Sequence, residues 1–205
     1  MRNADTLKRV ASMKKGLKNQ QLVFVVQKHK ATSVHYDFRL EIGRVMPSWS
    51  IPKGPSLDSN VKRLALPTTD HPLEYRHFEG VIPKGEYGAG PVMIWDEGTY
   101  NPEVEISKGV RKEITNRKEA EEVASKSLQE GNLKFHLYGK KLQGSFALVR
   151  TAGFRGKESW LLIKHRDGYS KNGYDANDYD FSAASNRSLT QIARTDTSLS
   201  RNKNQ

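Results

Sequence analysis

The chain has 205 residues, a formal net charge of +11 at pH 7 and no cysteine. This length suits one well-buried domain with tails, and the missing cysteine excludes disulfide scaffolds, thiolate metal sites and cysteine nucleophiles. No apolar run reaches the roughly 20 residues of a membrane span, and the N-terminus lacks the apolar core of a signal peptide. We therefore expect a soluble, cytoplasmic, monomeric protein without a membrane partner.

The positive charge is spread unevenly. Residues 1–20 carry six Lys/Arg and one Asp, and residues 21–165 carry 22 Lys/Arg and 17 Asp/Glu. Residues 166–205 carry six Lys/Arg and five Asp. A basic protein often has a polyanionic partner. The N-terminal part can contact a phosphate backbone, although such a segment can equally be a solvated arm.

Composition divides the chain into three parts. Residues 1–20 are predicted to be a basic N-terminal arm, and residues 21–165 a β-rich domain. Residues 166–205 are rich in Ser, Asn, Asp and Arg and poor in apolar side chains. They are predicted to be a polar, weakly ordered C-terminal tail.

Short strands dominate the predicted elements, with Gly and Pro between them and a single helix. The predicted strands are 22–28, 35–42, 44–51, 63–66, 91–100, 133–138, 145–150 and 160–165, with a short mixed segment at 77–82 and the helix at 117–130. Segment 70–75 is predicted to be a turn because Pro72 disfavours helix at His71, and 83–90 a flexible glycine-rich loop. This pattern predicts a mainly β protein, an antiparallel barrel or sandwich.

The strand at 35–42 alternates polar and apolar side chains without a break. Successive side chains of a strand point to opposite faces, and those two apart lie about 6.6 Å from each other. The polar face consists of His35, Asp37, Arg39 and Glu41. Such a face can bind a metal ion and an anion, or can simply be solvated. Glu41 is expected at the solvent rim.

The preceding strand extends this polar face. If residues 30–34 form a hairpin loop, His29 lies opposite His35 at about 5 Å between Cβ atoms. Gln27 then opposes Asp37, and a register shift of one residue would undo the arrangement. Two imidazoles and a carboxylate form an open site that suits Mn, Fe, Zn or a similar divalent ion.

Several basic side chains have positions that would suit a phosphate. Arg39 follows Asp37 on the same face, Lys53 lies in a Pro/Gly loop, and Arg63 shares its strand face with the small Ala65. Arg binds phosphate as a fork and Lys as a point charge, but each of these residues alone is also typical of an ordinary surface. Trp49 and Trp95 could stack on a base, although strand aromatics more often belong to the core.

Six ordered sequence words carry a family resemblance. They are Phe24–His29, His35–Glu41, Ser48–Ser56, Lys62–Ala65, Asp70–Tyr75 and Phe78–Gly90. In these words the chain resembles the 3′-phosphoesterase module of bacterial ATP-dependent DNA ligase D and its stand-alone bacterial and archaeal relatives. The dense match covers about 24–100, and a looser one extends to about 165. The resemblance implies a small curved antiparallel β-barrel with short peripheral helices.

The resemblance also implies roles for particular residues. The implied metal ligands are His29, His35 and Asp37, with Mn²⁺ the preferred ion and other divalent ions as alternatives. The implied catalytic residues are His71, Arg39, Lys53, Arg63 and Tyr75. The first four of these would bind the substrate phosphate, with Gln27 as a further contact.

The implied activity is repair of DNA 3′ ends. A terminal ribonucleoside is removed to leave a 3′-phosphate, and that phosphate is hydrolysed to a 3′-hydroxyl. The implied partners are DNA or RNA-tipped DNA 3′ ends, a separate DNA ligase and end-binding repair proteins.

Two other classes of function remain open at this point. His35-x-Asp37 with a further His is also the facial-triad pattern of a non-haem iron oxygenase. The basic charge would also suit a non-catalytic nucleic-acid-binding module.

Overall fold

A computed structural model describes residues 21–194 of the chain. The predicted basic arm and residues 195–205 lie outside the described residues. The strands are β1 Leu22–Lys30, β2 Val34–Leu40, β3 Val45–Ile51, β4 Lys62–Pro72, β5 Gly80–Ile82, β6 Gly90–Ser107, β7 Val110–Glu113, β8 Asn132–Gly139, β9 Gln143–Arg150 and β10 Trp160–Lys164. Helix α1 spans Arg117–Gln129, single 3-10 turns span Leu73–His77 and Ala176–Tyr179, and residues 189–194 are helical.

Eight of the strands close into an antiparallel barrel. Their order is β1-β2-β3-β4-β10-β9-β8-β6, and β6 pairs back with β1. β5 and β7 add to β6 outside this ring. A closed ring leaves none of its strands with a fully unpaired edge. The predicted fold class, a mainly β antiparallel barrel with few short helices, is confirmed.

The barrel interior holds the main hydrophobic core. Alternate side chains of each strand enter it, among them Phe24, Phe38 and Phe135, all at most 1% exposed. The predicted helix is confirmed as α1, which packs Ala120 and Ala124 against β8, β6 and β1. No helix within residues 21–194 is both long and apolar enough to cross a membrane.

β4 is longer than the sequence predicts. The segment expected to be a turn, 70–75, begins as strand and becomes a 3-10 turn only at Leu73. Pairing explains this, because β10 covers β4 only from Lys62 to Ala65, while β3 pairs with it up to Pro72. Beyond Ala65 one side of β4 is therefore free, and an edge tolerates proline.

The prediction of a weakly ordered tail is wrong for residues 166–194. Tyr174, Ala176, Leu189 and Ile192 are buried in the main core. Polar side chains also tie the segment to the barrel, since the Lys28 ammonium and Asp180 form a 2.9 Å ion pair. The composition did not indicate this packing, because a few well-spaced apolar residues are enough to anchor a segment when the barrel supplies the other half of the interface.

Glu79 fastens this C-terminal segment beside β5. Its carboxylate, 8% exposed, accepts hydrogen bonds from Ser182 Oγ at 2.5 Å, from Ser185 Oγ, and from the backbone N–H of Ile94 at 3.0 Å, and it pairs with Arg187 at 3.1 Å. Burial alone would raise the pKa of Glu79, but these hydrogen bonds outweigh it and hold the pKa below its usual 4.5. The ionised form therefore contributes to stability.

We expect Glu79→Gln to lower the free energy of unfolding at pH 7 by about 2–3 kcal/mol, because it weakens bonds to several buried donors. The folded pKa lies below the unfolded one, so the contribution is present above about pH 4.5 and is lost as the pH falls through the folded value. The difference in free energy of unfolding between wild type and variant, measured by urea unfolding, should therefore become smaller as the pH is lowered. Glu122→Gln, at an exposed helix position, is the control. An equal unfolding midpoint for Glu79→Gln and wild type at pH 7 would contradict this.

Candidate metal and phosphate site

The predicted pairing of β1 with β2 is confirmed residue by residue. His29 pairs with His35, Gln27 with Asp37, and Val25 with Arg39. The intervening residues, such as Val26 and Phe38, point into the barrel. The polar side chains consequently share the outer face of the barrel wall.

Three of these side chains converge. Ligand-type atoms of His29, His35 and Asp37 all lie within 4.8 Å of one another. His29 Nδ1 is 3.9 Å from Asp37 Oδ2, and His35 Nε2 is 3.6 Å from Asp37 Oδ1. Within residues 21–194 this is the only such group of three or more His and acidic residues.

The far nitrogen of each imidazole is held by a backbone carbonyl. His29 Nε2 lies 2.7 Å from Gly88 O, and His35 Nδ1 lies 3.2 Å from Ser33 O. A carbonyl only accepts, so each of these nitrogens carries a proton, and in the neutral ring the nitrogen that faces Asp37 has the lone pair. Metal-binding histidines are typically oriented in this way.

Burial favours the neutral imidazole at His29. Desolvation lowers the pKa of His29, and the nearby His35 lowers it further, although the Gly88 carbonyl opposes this. A neutral ring is required for metal binding. The three side chains therefore fit a divalent cation in geometry, and the lowered pKa of His29 favours the form that binds a metal.

Glycines bring the β5–β6 loop against this cluster. Gly88 has φ +77°, and a Cβ there would lie 3.4 Å from His29 Cε1. At Gly90, with φ +137°, a Cβ would lie 2.1 Å from Lys30 O. At Gly90 only glycine fits this close approach, and the loop then lies where the Gly88 carbonyl is within hydrogen-bond distance of His29 Nε2.

Arg39 links the cluster to a second group of side chains. Its guanidinium donates from Nη2 to Asp37 Oδ2 at 3.0 Å, from Nε to Gln27 Oε1 at 2.8 Å, and from Nη1 to His71 Nδ1 at 2.9 Å. The residue is only 3% exposed. Three of its five N–H groups are used, and the other two have no hydrogen-bond partner within residues 21–194.

His71 is neutral in this arrangement. Desolvation and the charge of Arg39 both lower the pKa of His71. Because Nδ1 accepts from Arg39, the neutral ring carries its proton on Nε2. The Tyr75 ring lies 4.6 Å from the His71 ring and 5.3 Å from Arg39 Cζ, so it covers both groups.

A small second hydrophobic cluster supports this part of the site. Val25, Met46 and Ile94 lie on the outer face of the barrel, and Leu73 packs on them. Leu73 opens the 3-10 turn that contains Tyr75. This packing holds the turn against the barrel wall.

Within residues 21–194, neither Lys53 nor Arg63 forms a hydrogen bond or an ion pair with these residues. Lys53 is exposed in the turn after β3, at the end of the barrel where His35 lies, and makes no hydrogen bond or ion pair within residues 21–194. Arg63 shares the interior face of β4 with Ala65, and its Nε is buried without a partner. The small-residue face that suggested a phosphate cavity is thus the inside of the barrel.

Two further expectations need correction. Gln27 was expected to contact phosphate, but it is 0% exposed and donates to the carbonyls of Phe78 at 2.9 Å and Tyr75 at 3.2 Å. Glu41 was expected at the rim, but it is 3% exposed and paired with Arg117 of α1. Neither partner is close in sequence, so alternation alone could not reveal these roles.

The sequence reasoning also missed the two carbonyls that orient the histidines, those of Ser33 and Gly88. A main-chain acceptor leaves no mark in residue type. The glycine spacing of the 83–90 loop was the available signal, because closely spaced glycines indicate a close approach of backbone as well as flexibility. The tryptophans considered for base stacking, Trp49 and Trp95, are both buried.

The fold and the site together define a small closed β-barrel whose outer wall carries a candidate cation site beside a candidate anion site. Residues 27–150, more than half of the chain, match the model of the DNA ligase D 3′-phosphoesterase domain. The chain belongs to that family, and the resemblance read from the sequence is confirmed.

Curated relatives agree with this assignment. The chain is 45% identical over 152 residues to the multifunctional non-homologous end joining protein LigD of Pseudomonas aeruginosa, covering 74% of this chain. It is 40% identical over 158 residues to the multifunctional non-homologous end joining DNA repair protein LigD of Mycobacterium tuberculosis, covering 77% of this chain. The matches span only 16% and 17% of the length of these relatives.

We expect Gln27→Met to lower the free energy of unfolding by about 2–4 kcal/mol. The change keeps the side-chain length but removes three hydrogen bonds at a buried site, including the acceptor for Arg39 Nε. Urea unfolding measures the loss. The control is Gln143→Met, because that exposed amide makes a single 3.2 Å bond to Gly139 O. Equal losses in the two variants would contradict the assigned role of Gln27.

Proposed function

We propose that this protein is a divalent-metal-dependent phosphoesterase that heals DNA 3′ ends. It would remove a 3′-terminal ribonucleoside to leave a 3′-phosphate and then hydrolyse that phosphate to a 3′-hydroxyl. The observation that carries the proposal is the convergence of His29, His35 and Asp37 beside the buried Arg39 guanidinium. Membership of a 3′-phosphoesterase family supports the same reaction class.

The donor set suits Mn²⁺ or a similar divalent ion. Two neutral imidazole nitrogens and a carboxylate leave open positions for water and substrate. When bound, such an ion would polarise the phosphoryl group and offset the charge of its oxygens. Asp37 would be a ligand of the ion and also the counter-charge of Arg39, because its Oδ2 accepts a hydrogen bond from Arg39 Nη2.

The protein's own cations and donors would bind the phosphate. Two N–H groups of Arg39 lack a partner in the described part of the chain and would donate to a phosphate oxygen, while Gln27, Asp37 and His71 fix the orientation of the guanidinium. His71 would donate from Nε2, either as a hydrogen bond to a phosphate oxygen or by protonating the leaving oxygen. Tyr75 keeps its phenolic proton, because burial raises the pKa of Tyr75. Removing one preorganised donor of this kind typically costs about 10²–10³ in rate.

The position of Lys53 supports a supplementary role. Its exposed ammonium lies at the end of the barrel where His35 lies, so it would contact the nucleic-acid strand on either side of the scissile phosphate. For the ribonucleoside step, a water molecule would attack phosphorus and the 5′ oxygen of the ribonucleoside would leave with a proton, so that the phosphate stays on the 3′ oxygen of the preceding nucleoside. The 2′-hydroxyl of the terminal nucleoside is the group that distinguishes RNA from DNA. A DNA ligase and end-binding repair proteins would act on the healed end.

We expect the wild-type protein with Mn²⁺ to trim an end-labelled DNA strand that bears one 3′-ribonucleotide and to dephosphorylate a 3′-phosphate strand. Arg39→Ala and His71→Ala should each slow turnover by about 10²–10³. His77→Ala, which alters an exposed histidine outside the cluster, should retain activity and is the control. Gel analysis of the products measures all four proteins. No trimming by wild type with any of several divalent metals would reject the proposal.

We expect Mn²⁺ to bind wild type with a stoichiometry of one in calorimetry at pH 7.5, and His35→Ala to lose at least about tenfold in affinity, since a ligand is removed. His77→Ala should bind as wild type does. Full trimming by His35→Ala would contradict the site. Turnover that requires iron and oxygen would instead indicate an oxygenase, and DNA binding without turnover a binding module.

A further inference from the structure

One aromatic side chain stands apart on the surface. Tyr87 is fully exposed, whereas the other exposed large hydrophobic side chains among residues 21–194 lie between 39% and 63%. It makes no hydrogen bond, ring stacking or cation–π contact within the described chain. An aromatic ring of this size is normally at least partly covered, so its complete exposure requires an explanation.

The backbone of Tyr87 is held in a fixed place beside the candidate metal site. The next residue, Gly88, supplies the carbonyl that receives His29 Nε2–H at 2.7 Å, and adjacent Cα atoms are about 3.8 Å apart. Turn hydrogen bonds run from Glu86 N to Pro83 O at 3.2 Å and from Ala89 N to Glu86 O at 3.1 Å. The ring is thus presented from a loop that is constrained on both sides.

The surroundings of the loop suit a nucleic-acid strand. Lys84 lies in the same loop and is exposed, and so is Lys30, whose carbonyl the loop touches at Gly90. Lysines contact phosphates, while every base has an aromatic face that can stack on a side chain. The two tryptophans that the sequence offered for stacking are buried, and the Tyr75 ring covers Arg39 and His71, whereas Tyr87 is a fully exposed aromatic surface next to the cluster.

We propose that Tyr87 is a stacking platform for the base of the nucleoside that carries the scissile phosphate on its 3′ oxygen. This inference rests on the proposed function and adds a substrate-positioning contact to it. That nucleoside is common to both reaction steps, because it is penultimate in a ribonucleotide-tipped strand and terminal in a 3′-phosphate strand. Stacking would set the strand so that its phosphate meets Arg39 and His71, whichever base is present.

The test compares Tyr87→Ala and Tyr87→Phe with wild type on a 3′-phosphate strand with Mn²⁺. Phe154→Ala is the control, because Phe154 is 45% exposed in the β9–β10 turn at the opposite end of the barrel. A stacking contact is worth about 1–3 kcal/mol per base. Tyr87→Ala should therefore raise KM at least about fivefold with kcat nearly unchanged, while Tyr87→Phe and Phe154→Ala behave like wild type.

An abasic substrate separates stacking from a structural effect. When the terminal nucleoside lacks its base, wild type and Tyr87→Ala should show the same KM. A defect of Tyr87→Ala that persists on the abasic strand, or an unchanged KM on the intact strand, would overturn the proposal.

A binding measurement keeps this inference independent of turnover. A strand with 2-aminopurine in the terminal nucleoside should lose fluorescence when it stacks on wild type without metal, and keep it with Tyr87→Ala. If wild type shows no turnover but the quenching depends on Tyr87, the phosphoesterase proposal fails and the stacking platform stands. If turnover proceeds and the quenching is the same in both proteins, the stacking platform fails alone.

Discussion

The buried guanidinium of Arg39 is the interaction on which the site depends. At 3% exposure its charge is costly unless every neighbour compensates it. Asp37 supplies the counter-charge, and Gln27 and His71 supply acceptors. The same three contacts fix the Asp37 carboxylate between two imidazoles and leave His71 with its proton on Nε2. The buried Arg39 guanidinium therefore sets the geometry of both the candidate cation site and the candidate anion site.

The closed barrel makes this arrangement possible because its outer wall is rigid. Arg39, Gln27 and His71 come from β2, β1 and β4, and each pair of neighbouring strands has a defined register. Backbone carbonyls then orient the rings of His29 and His35 so that the other nitrogen of each ring faces Asp37. Two segments outside the barrel are fixed against it. The cluster around Leu73 holds the 3-10 turn, and the Glu79 carboxylate binds the C-terminal segment beside β5.

The success and failure of the sequence predictions follow the range of the contacts involved. The β1–β2 hairpin was predicted to the residue because a short loop and an uninterrupted alternation determine its register. The position of Glu41 and the contacts of Gln27 were predicted wrongly because their partners, Arg117 on α1 and the carbonyls of residues 75 and 78, are distant in sequence. Arg63 was misplaced because a small-residue face looks the same from the sequence whether it lines a cavity or a barrel interior.

The sequence by itself determined the strand pattern, the family, and the cluster of His29, His35 and Asp37 across one hairpin, since these depend on alternation and on short-range pairing. Tertiary structure decided which face of β4 meets solvent, which acceptors neutralise Arg39, and that residues 166–194 complete the core. It also decided that Tyr87, in a glycine-rich loop, is fully exposed next to the residue whose carbonyl contacts His29. Those outcomes depend on barrel closure, which brings together backbone and side chains that no local pattern relates.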